Sequence, residues 1–378
     1  MDREKARTWA EISLSNLRHN ALVLKGLLKN DCQMMCAIKA NAYGHGMIQA
    51  AEVYNDIADQ FAVACLDEAA ELRDANFSKP TLILGYTPAE FTKELIDLDV
   101  MQTVYSFDYA ERLNSFAKDI GKKLKVHIKI DSGMSRLGFS VKDSECLEKT
   151  FNEIRNMTSS MNNLEFVGLF THFHSSDHRT SEKTDEQFSR YISLKEKLDT
   201  EGIIFKFYHV CNSAAMIRYP QMHLNMVRPG IALYGAFPGE TEREIDIRPT
   251  FELKTRIGQI HTVRKGEGIS YNTTFIADND MTVATLPIGY ADGYPRYLSN
   301  KGVVLVNGKR APIVGNVCMD QCVVDISGID TFEGDIVTVM GQDGCDCISI
   351  DELSAKAETI PNELLCLFGG RVRRIYID

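Results

Sequence analysis

The stretch "CAIKANAYGHG", residues 36–46, ends an apolar run, Met34-Met35-Cys36-Ala37-Ile38, on a lysine and then passes into small and turn-forming residues. A short continuous apolar run reads as a strand buried on both faces, as in a parallel sheet. Such a strand has no place for an ammonium in its interior, so Lys39 marks its C-terminal end. Seven further runs follow: "FAVAC" (61–65), "TLILGY" (81–86), "MQTVY" (101–105), "KVHIKI" (125–130), "EFVGLF" (165–170), "FKFYHV" (205–210) and "LNMVR" (224–228). Segments of helical spacing lie between them, such as 67–74 and 109–120. Eight strand–helix units predict an α/β chain folded as a closed (β/α)8 TIM barrel, with a doubly wound sheet as the structural alternative. Upstream, "LSNLRHNALVLKGLLK" sets Leu17, Leu24, Leu27 and Leu28 on one face, so a helix precedes the first of these strands.

The pattern changes after about residue 240. "FPGETEREIDIRPT" reads as a linker, and "GVVLVNGKRAPIV" carries an Asn307-Gly308 hairpin signal between β-branched runs. "QCVVDIS" and "DIVTVMG" continue the strand-rich pattern. Two domains are therefore expected: a barrel over 1–240 and a mostly β domain over 241–378.

Composition excludes several classes. A net charge of −10 disfavours a nucleic-acid surface. No run approaches membrane-spanning length, so this segment is expected to make no membrane contact. The ten cysteines lack a CxxC…CxxC frame, and Cys36, Cys65 and Cys211 sit in apolar runs as core-packing thiols. Cys345 and Cys347 read as part of a loop or strand pair. Reduced thiols and the missing signal segment point to a cytoplasmic chain, either whole or the cytoplasmic part of a membrane-anchored protein.

The C-terminal ends of barrel strands carry active sites. A lysine held there against an apolar wall loses hydration, and its falling pKa makes it a usable amine nucleophile. Left alone, Lys39 reads more readily as a residue snorkelling at the rim.

Its neighbours decide between these. "AIKANAYGHG" resembles the cofactor-lysine motif of the alanine racemase family. Other segments resemble that family in order: "KIDSGMSRLG" (129–138), "THF" (171–173), "CNSAA" (211–215), "VRPGIALYG" (227–235), "ISYNTTF" (269–275), "LPIGYADG" (286–293) and "NVCMDQ" (316–321). The resemblance implies pyridoxal 5'-phosphate carried on Lys39, an amino-acid substrate, and a homodimer whose sites combine one subunit's barrel with the other's β domain.

It also implies roles for individual residues. Tyr43, Ser213 and the backbone of Gly230 and Ile231 would contact the cofactor phosphate. Arg228 would face the pyridine nitrogen; a guanidinium cannot accept a proton, so it makes the ring a weaker electron sink than an aspartate would. Racemisation needs a proton removed from one face of Cα and delivered to the other, which assigns Lys39 and Tyr271 as the two bases. A phenol is a poor base at neutral pH, and His172 with Arg228 would form a cationic network supporting it. Arg136 would meet the substrate carboxylate, and Lys129 stands where the family often carries a carbamate that orients that arginine. Met319, with Cys318 and Asp320, would reach in from the partner subunit.

Two rival readings remain open at this stage. "THFHSSDH" places His172, His174, Asp177 and His178 at a strand end, where an amidohydrolase-like metal could bind, although the other histidines form no second cluster. A pyridoxal-phosphate carrier without catalysis would lack the β domain and its tyrosine. One departure bears on the substrate. Where the family has tyrosine at the phosphate edge of the pocket, "IPNE" places Asn362. A shorter amide with donor and acceptor favours a hydroxymethyl side chain. That resembles the serine-racemase branch associated with vancomycin resistance. The expectation is thus a serine racemase acting also on alanine and supplying D-amino acid for the cell wall, with a housekeeping alanine racemase as the alternative.

Overall fold

The computed structural model describes residues 5–29, 31–178, 180–239 and 245–378. Eight parallel strands close into a barrel: Gln33–Ala37, Gln60–Val63, Thr81–Ile83, Met101–Val104, Leu124–Asp131, Leu164–Phe170, Phe207–His209 and Met226–Val227. Closure is made where Met226 and Val227 pair with Gln33 and Met34. All eight expected runs supply a strand, and the doubly wound alternative is excluded by this ring. Within Gln33–Ala37 the alternation is visible. Met34 and Cys36 join the core beneath the helices, while Met35 and Ala37 fill the barrel interior with Ala62, Leu82, Met101, Phe207 and Met226. Both faces are dry, which is why the sequence run was continuous rather than alternating.

The helices start where polar caps allow. Ser13, Ser106, Asp143 and Asn212 each accept a backbone N–H from the first turn of the helix that follows. The expected leading helix is Leu14–Gly26, burying Leu17, Asn20, Ala21 and Leu24.

The β domain centres on a sheet ordered Lys309–Pro312, Val303–Val306, Ile336–Asp343, Phe251–Arg256, Thr8–Ser13 and Arg373–Ile377. Asn307 and Gly308 turn the predicted hairpin with φ of 50° and 73°. Cys345 and Cys347 sit exposed at a second hairpin. Smaller sheets join Gln259–Val263 to Met281–Leu286 and Cys322–Asp325, and Gly268–Ile269 to Phe275–Ile276.

One strand crosses the expected division. Thr8–Ser13 runs antiparallel to Phe251–Arg256 and parallel to Arg373–Ile377, so the chain begins in the C-terminal sheet before it enters the barrel. The boundary at 240/241 and part of the expected linker lie outside the described residues. Among the described residues, no helix is long and apolar enough to cross a membrane.

Candidate active site

The lysine turn is locally strained. Ala40, Asn41, Ala42 and Tyr43 follow Lys39 with φ between 51° and 54°, a left-handed turn. Each L-residue there costs about 1–2 kcal/mol, and only asparagine visits the region readily. Hydrogen bonds hold the turn from several sides. Ala42 N–H donates to Ile38 O (2.9 Å), Gly44 N–H to Ala40 O (3.0 Å) and Gly46 N–H to Asn41 O (3.0 Å). The Asn41 side chain accepts Met47 N–H (2.8 Å) at the start of the next helix. Glu68 accepts Ala40 N–H (2.6 Å) with one oxygen and Ala64 N–H (2.7 Å) with the other.

Glycines give the turn its close approaches. A Cβ on Gly44, at φ 81°, would stand 2.3 Å from the Leu365 carbonyl oxygen. The helix Pro361–Leu367, which carries half-buried Asn362, therefore lies directly against the lysine turn of its own chain.

Lys39 is half-buried, and its ammonium is pushed below the usual lysine range by burial first and then by Arg136 and Arg228, while Glu68 and Cys366 oppose the shift. Ser213 Oγ accepts the N–H of Gly230 (2.8 Å) and of Ala232 (3.3 Å). A Cβ on Gly230 would come within 2.6 Å of the Tyr43 hydroxyl. Tyr43, Ser213, Gly230 and Ile231 are thus brought together as expected. Tyr43 stacks on Tyr234 at 4.8 Å, which fixes its ring.

Arg228 is 5% exposed, and burial pulls its guanidinium down to about 10, still a cation at neutral pH. It donates to His209 Nδ1 (2.8 Å) and to the Thr171 (2.8 Å) and Val210 (3.2 Å) carbonyls, and lies 3.4 Å from His172 Nδ1. Because Arg228 can only donate, His209 must carry its proton on Nε2, which lies 2.8 Å from His127 Nδ1. His172 is driven well below the usual histidine range by burial, Arg228, Arg136, Lys129 and Lys39. In the His172–Arg228 pair the guanidinium is therefore the charged member.

Lys129 is buried over the Phe170 ring, donates to the Ile130 carbonyl (2.6 Å), and is pulled down to about 7 by burial and Arg228. The loop that carries exposed Arg136 is shaped by Asp131, which accepts the N–H of Gly133 (3.0 Å) and Ser135 (3.0 Å).

Tyr271, Cys318, Met319 and Asp320 gather elsewhere on the chain. Tyr271 lies in a turn, Tyr271–Thr273, and is 71% exposed. Asn316 donates to the Tyr271 carbonyl (2.7 Å), Ser270 donates to the Asn316 carbonyl (2.6 Å), and Cys318 Sγ lies 3.3 Å from Ser270 Oγ. Met319 is also exposed, and Asp320 pairs with Arg371 at 2.6 Å. In the rival histidine cluster, His174 is exposed and turned to Ser175. Among the described residues no group of three or more His, Cys, Asp or Glu is placed to hold a metal.

Three contributors escaped the sequence reading: Glu68, His127 and His209. An acid at the third position of a helix that directly follows a barrel strand was the available signal for Glu68. A histidine inside an apolar strand was the signal for the other two.

A barrel whose mouth presents a desolvated amine, a serine–glycine cradle and a buried guanidinium defines the class of barrel enzymes that hold a phosphorylated aldehyde on a lysine. The comparisons narrow this. The alanine racemase N-terminal domain family matches residues 12–238 and the C-terminal domain family residues 250–376. The chain belongs to the alanine racemase family. Over 373 residues it is 42% identical to an alanine racemase of Methanococcus maripaludis, covering 98% of each chain. Among solved structures, alanine racemase of Clostridium difficile 630 superposes with a TM-score of 0.92 at 39% identity, covering 99% of this chain and 96% of that one. An alanine racemase from Bartonella henselae with covalently bound pyridoxal phosphate gives 0.88 at 26% identity, covering 98% of this chain and 100% of that one.

Proposed function

We propose that this chain is an alanine racemase that uses two bases on opposite faces of the substrate Cα. The observation that carries the reading is Lys39, half-desolvated at a strand end beside the Ser213–Gly230 cradle and the Arg228 guanidinium. Pyridoxal 5'-phosphate is the cofactor on which the family depends, and the residues at this mouth fit it. Lys39 Nζ would hold its aldehyde carbon, Tyr43, Ser213 and the Gly230 and Ile231 amides its phosphate, and Arg228 its ring nitrogen. When bound, that group supplies an electron sink that acidifies the Cα–H of an attached amino acid.

The chain's own residues do the rest. Lys39, released when substrate takes its place, holds or donates a proton at Nζ on one face. Tyr271 Oη serves the opposite face, and it does so from a second copy of the chain. Supporting that pairing, Tyr271, Tyr290, Tyr297 and Met319 are exposed here, and a phenol needs a water-excluding neighbour to act as a tuned base. Arg136 and the Met319 amide orient the substrate carboxylate. Lys129, close to neutral at physiological pH, has the free lone pair that carbamylation by carbon dioxide requires.

Asn362 favours a second reading, in which serine is the better substrate. It stands half-buried on the helix packed against the lysine turn, and a tyrosine there would fill more of that space. The relatives carry alanine in their names, which supports alanine as the primary substrate. Parallel rates of D-isomer formation from L-alanine and L-serine separate the two. Borohydride trapping followed by peptide mapping tests the common reading, and a modified peptide that excludes Lys39 would reject it.

A further inference from the structure

Glu68 has no part in the scheme above, yet it is the side chain that ties the lysine turn to the rest of the barrel. Its two oxygens divide between two strands. One takes the N–H of Ala40, the residue after Lys39 and the first of the left-handed turn. The other takes the N–H of Ala64, just past the end of Gln60–Val63. An N–H at the head of a left-handed turn has no partner from the turn itself, so the carboxylate completes it. Glu68 comes from the first turn of the helix Leu66–Asp74, and it is rigidly placed there because Ala69 and Leu72 are buried beneath it.

We propose that Glu68 is a positioning residue for Lys39: by accepting the Ala40 and Ala64 N–H groups at once, its carboxylate fixes the turn that aims the lysine. Its charge also opposes the lowering of the lysine's pKa by burial, Arg136 and Arg228. The inference rests on the reading of Lys39 as the cofactor lysine.

The test uses the full chain stripped of cofactor, with trinitrobenzenesulfonate as the amine probe and mass spectrometry of the Lys39 peptide across pH. Glu68→Asp keeps the charge but not the reach to both amides, and it should slow covalent loading of Lys39 by pyridoxal 5'-phosphate roughly tenfold, the cost of a misaimed amine. Wild-type loading by the folded variant overturns the proposal. Should that variant not fold, Glu68→Gln carries the test: its amide accepts through one oxygen only, so it should also load slowly and should move the midpoint of Lys39 labelling down, and wild-type loading by it overturns the proposal instead. Failure of the underlying reading looks different, because the wild-type chain would then load cofactor at a site other than Lys39.

Discussion

The barrel mouth and the Tyr271 loop differ in almost every physical respect. At the mouth, Lys39, Arg228, His172 and Lys129 are each pushed below their ordinary pKa by burial, and Lys39, His172 and Lys129 also by Arg228. Its geometry is fixed by backbone groups: a left-handed turn, a serine receiving two amides, a carboxylate bridging two strand ends. At the loop, Tyr271 is 71% exposed, and its carbonyl accepts from Asn316. The first is a preorganised set of groups whose chemistry fits a phosphorylated aldehyde. The second is a side chain waiting for surroundings. The difference teaches that the two bases assigned to the reaction sit in opposite surroundings within one chain, and the proposal that Tyr271 acts at the mouth of a second copy is what the predictions below are built to break.

The largest effect should come from breaking the mouth. Lys39→Ala removes both the anchor and one base, and racemisation should fall by more than about 10⁴-fold, with no borohydride-fixed cofactor. Tyr271→Phe removes one base only. Racemisation should fall by about 10²–10⁴-fold. Loss of deuterium uptake from one enantiomer only, with the other still exchanging its Cα proton, would show that Lys39 still works alone. Loss of exchange from both would contradict separate bases.

Acid should separate the two regions by stability. His45, His127, His172 and His209 all lie in the barrel and are all pushed down by burial, His45 to about 4 and His127 to about 3. The unfolded chain takes up protons first as pH falls below about 6.5, so the barrel loses stability through the window from there to about 4. His45 alone accounts for about 3 kcal/mol over that range. His261, in the β domain, is exposed. Hydrogen exchange at pH 4.5 should therefore accelerate in barrel strands before it does in the sheet around Phe251–Arg256; the opposite order would contradict this.

The smallest effect sharpens the substrate. Asn362→Tyr should lower the serine-to-alanine ratio of kcat/KM by roughly ten- to a hundredfold, since crowding and a lost hydrogen bond cost about 1–2 kcal/mol each on serine. An unchanged ratio in a folded, loaded variant would leave alanine racemase as the sole reading.

Much of this was legible in the sequence because barrel strands write themselves as continuous apolar runs, and all eight were visible. So was the convergence of Tyr43, Ser213, Gly230 and Ile231, which the family motifs carry. Other features depend on contacts between distant segments. Thr8–Ser13 looks like any short strand, and only its partners, Phe251–Arg256 and Arg373–Ile377, put it in the second sheet. The lowered pKa of His172 follows first from burial and then from Arg228, Arg136, Lys129 and Lys39, which three different strands bring together. Four successive left-handed residues could not be read from "ANAY", since alanine and tyrosine disfavour that region and only the bonds around the turn sustain it.

The most direct test mixes Lys39→Ala with Tyr271→Phe subunits, each nearly inactive alone. If the barrel mouth of one copy takes its tyrosine from another, half of the randomly exchanged dimers are hybrids and each hybrid holds one intact site. Activity should then return to about one quarter of wild type. Activity that stays at the level of the separate variants, with subunit exchange demonstrated by mass spectrometry, would contradict a site shared between two copies.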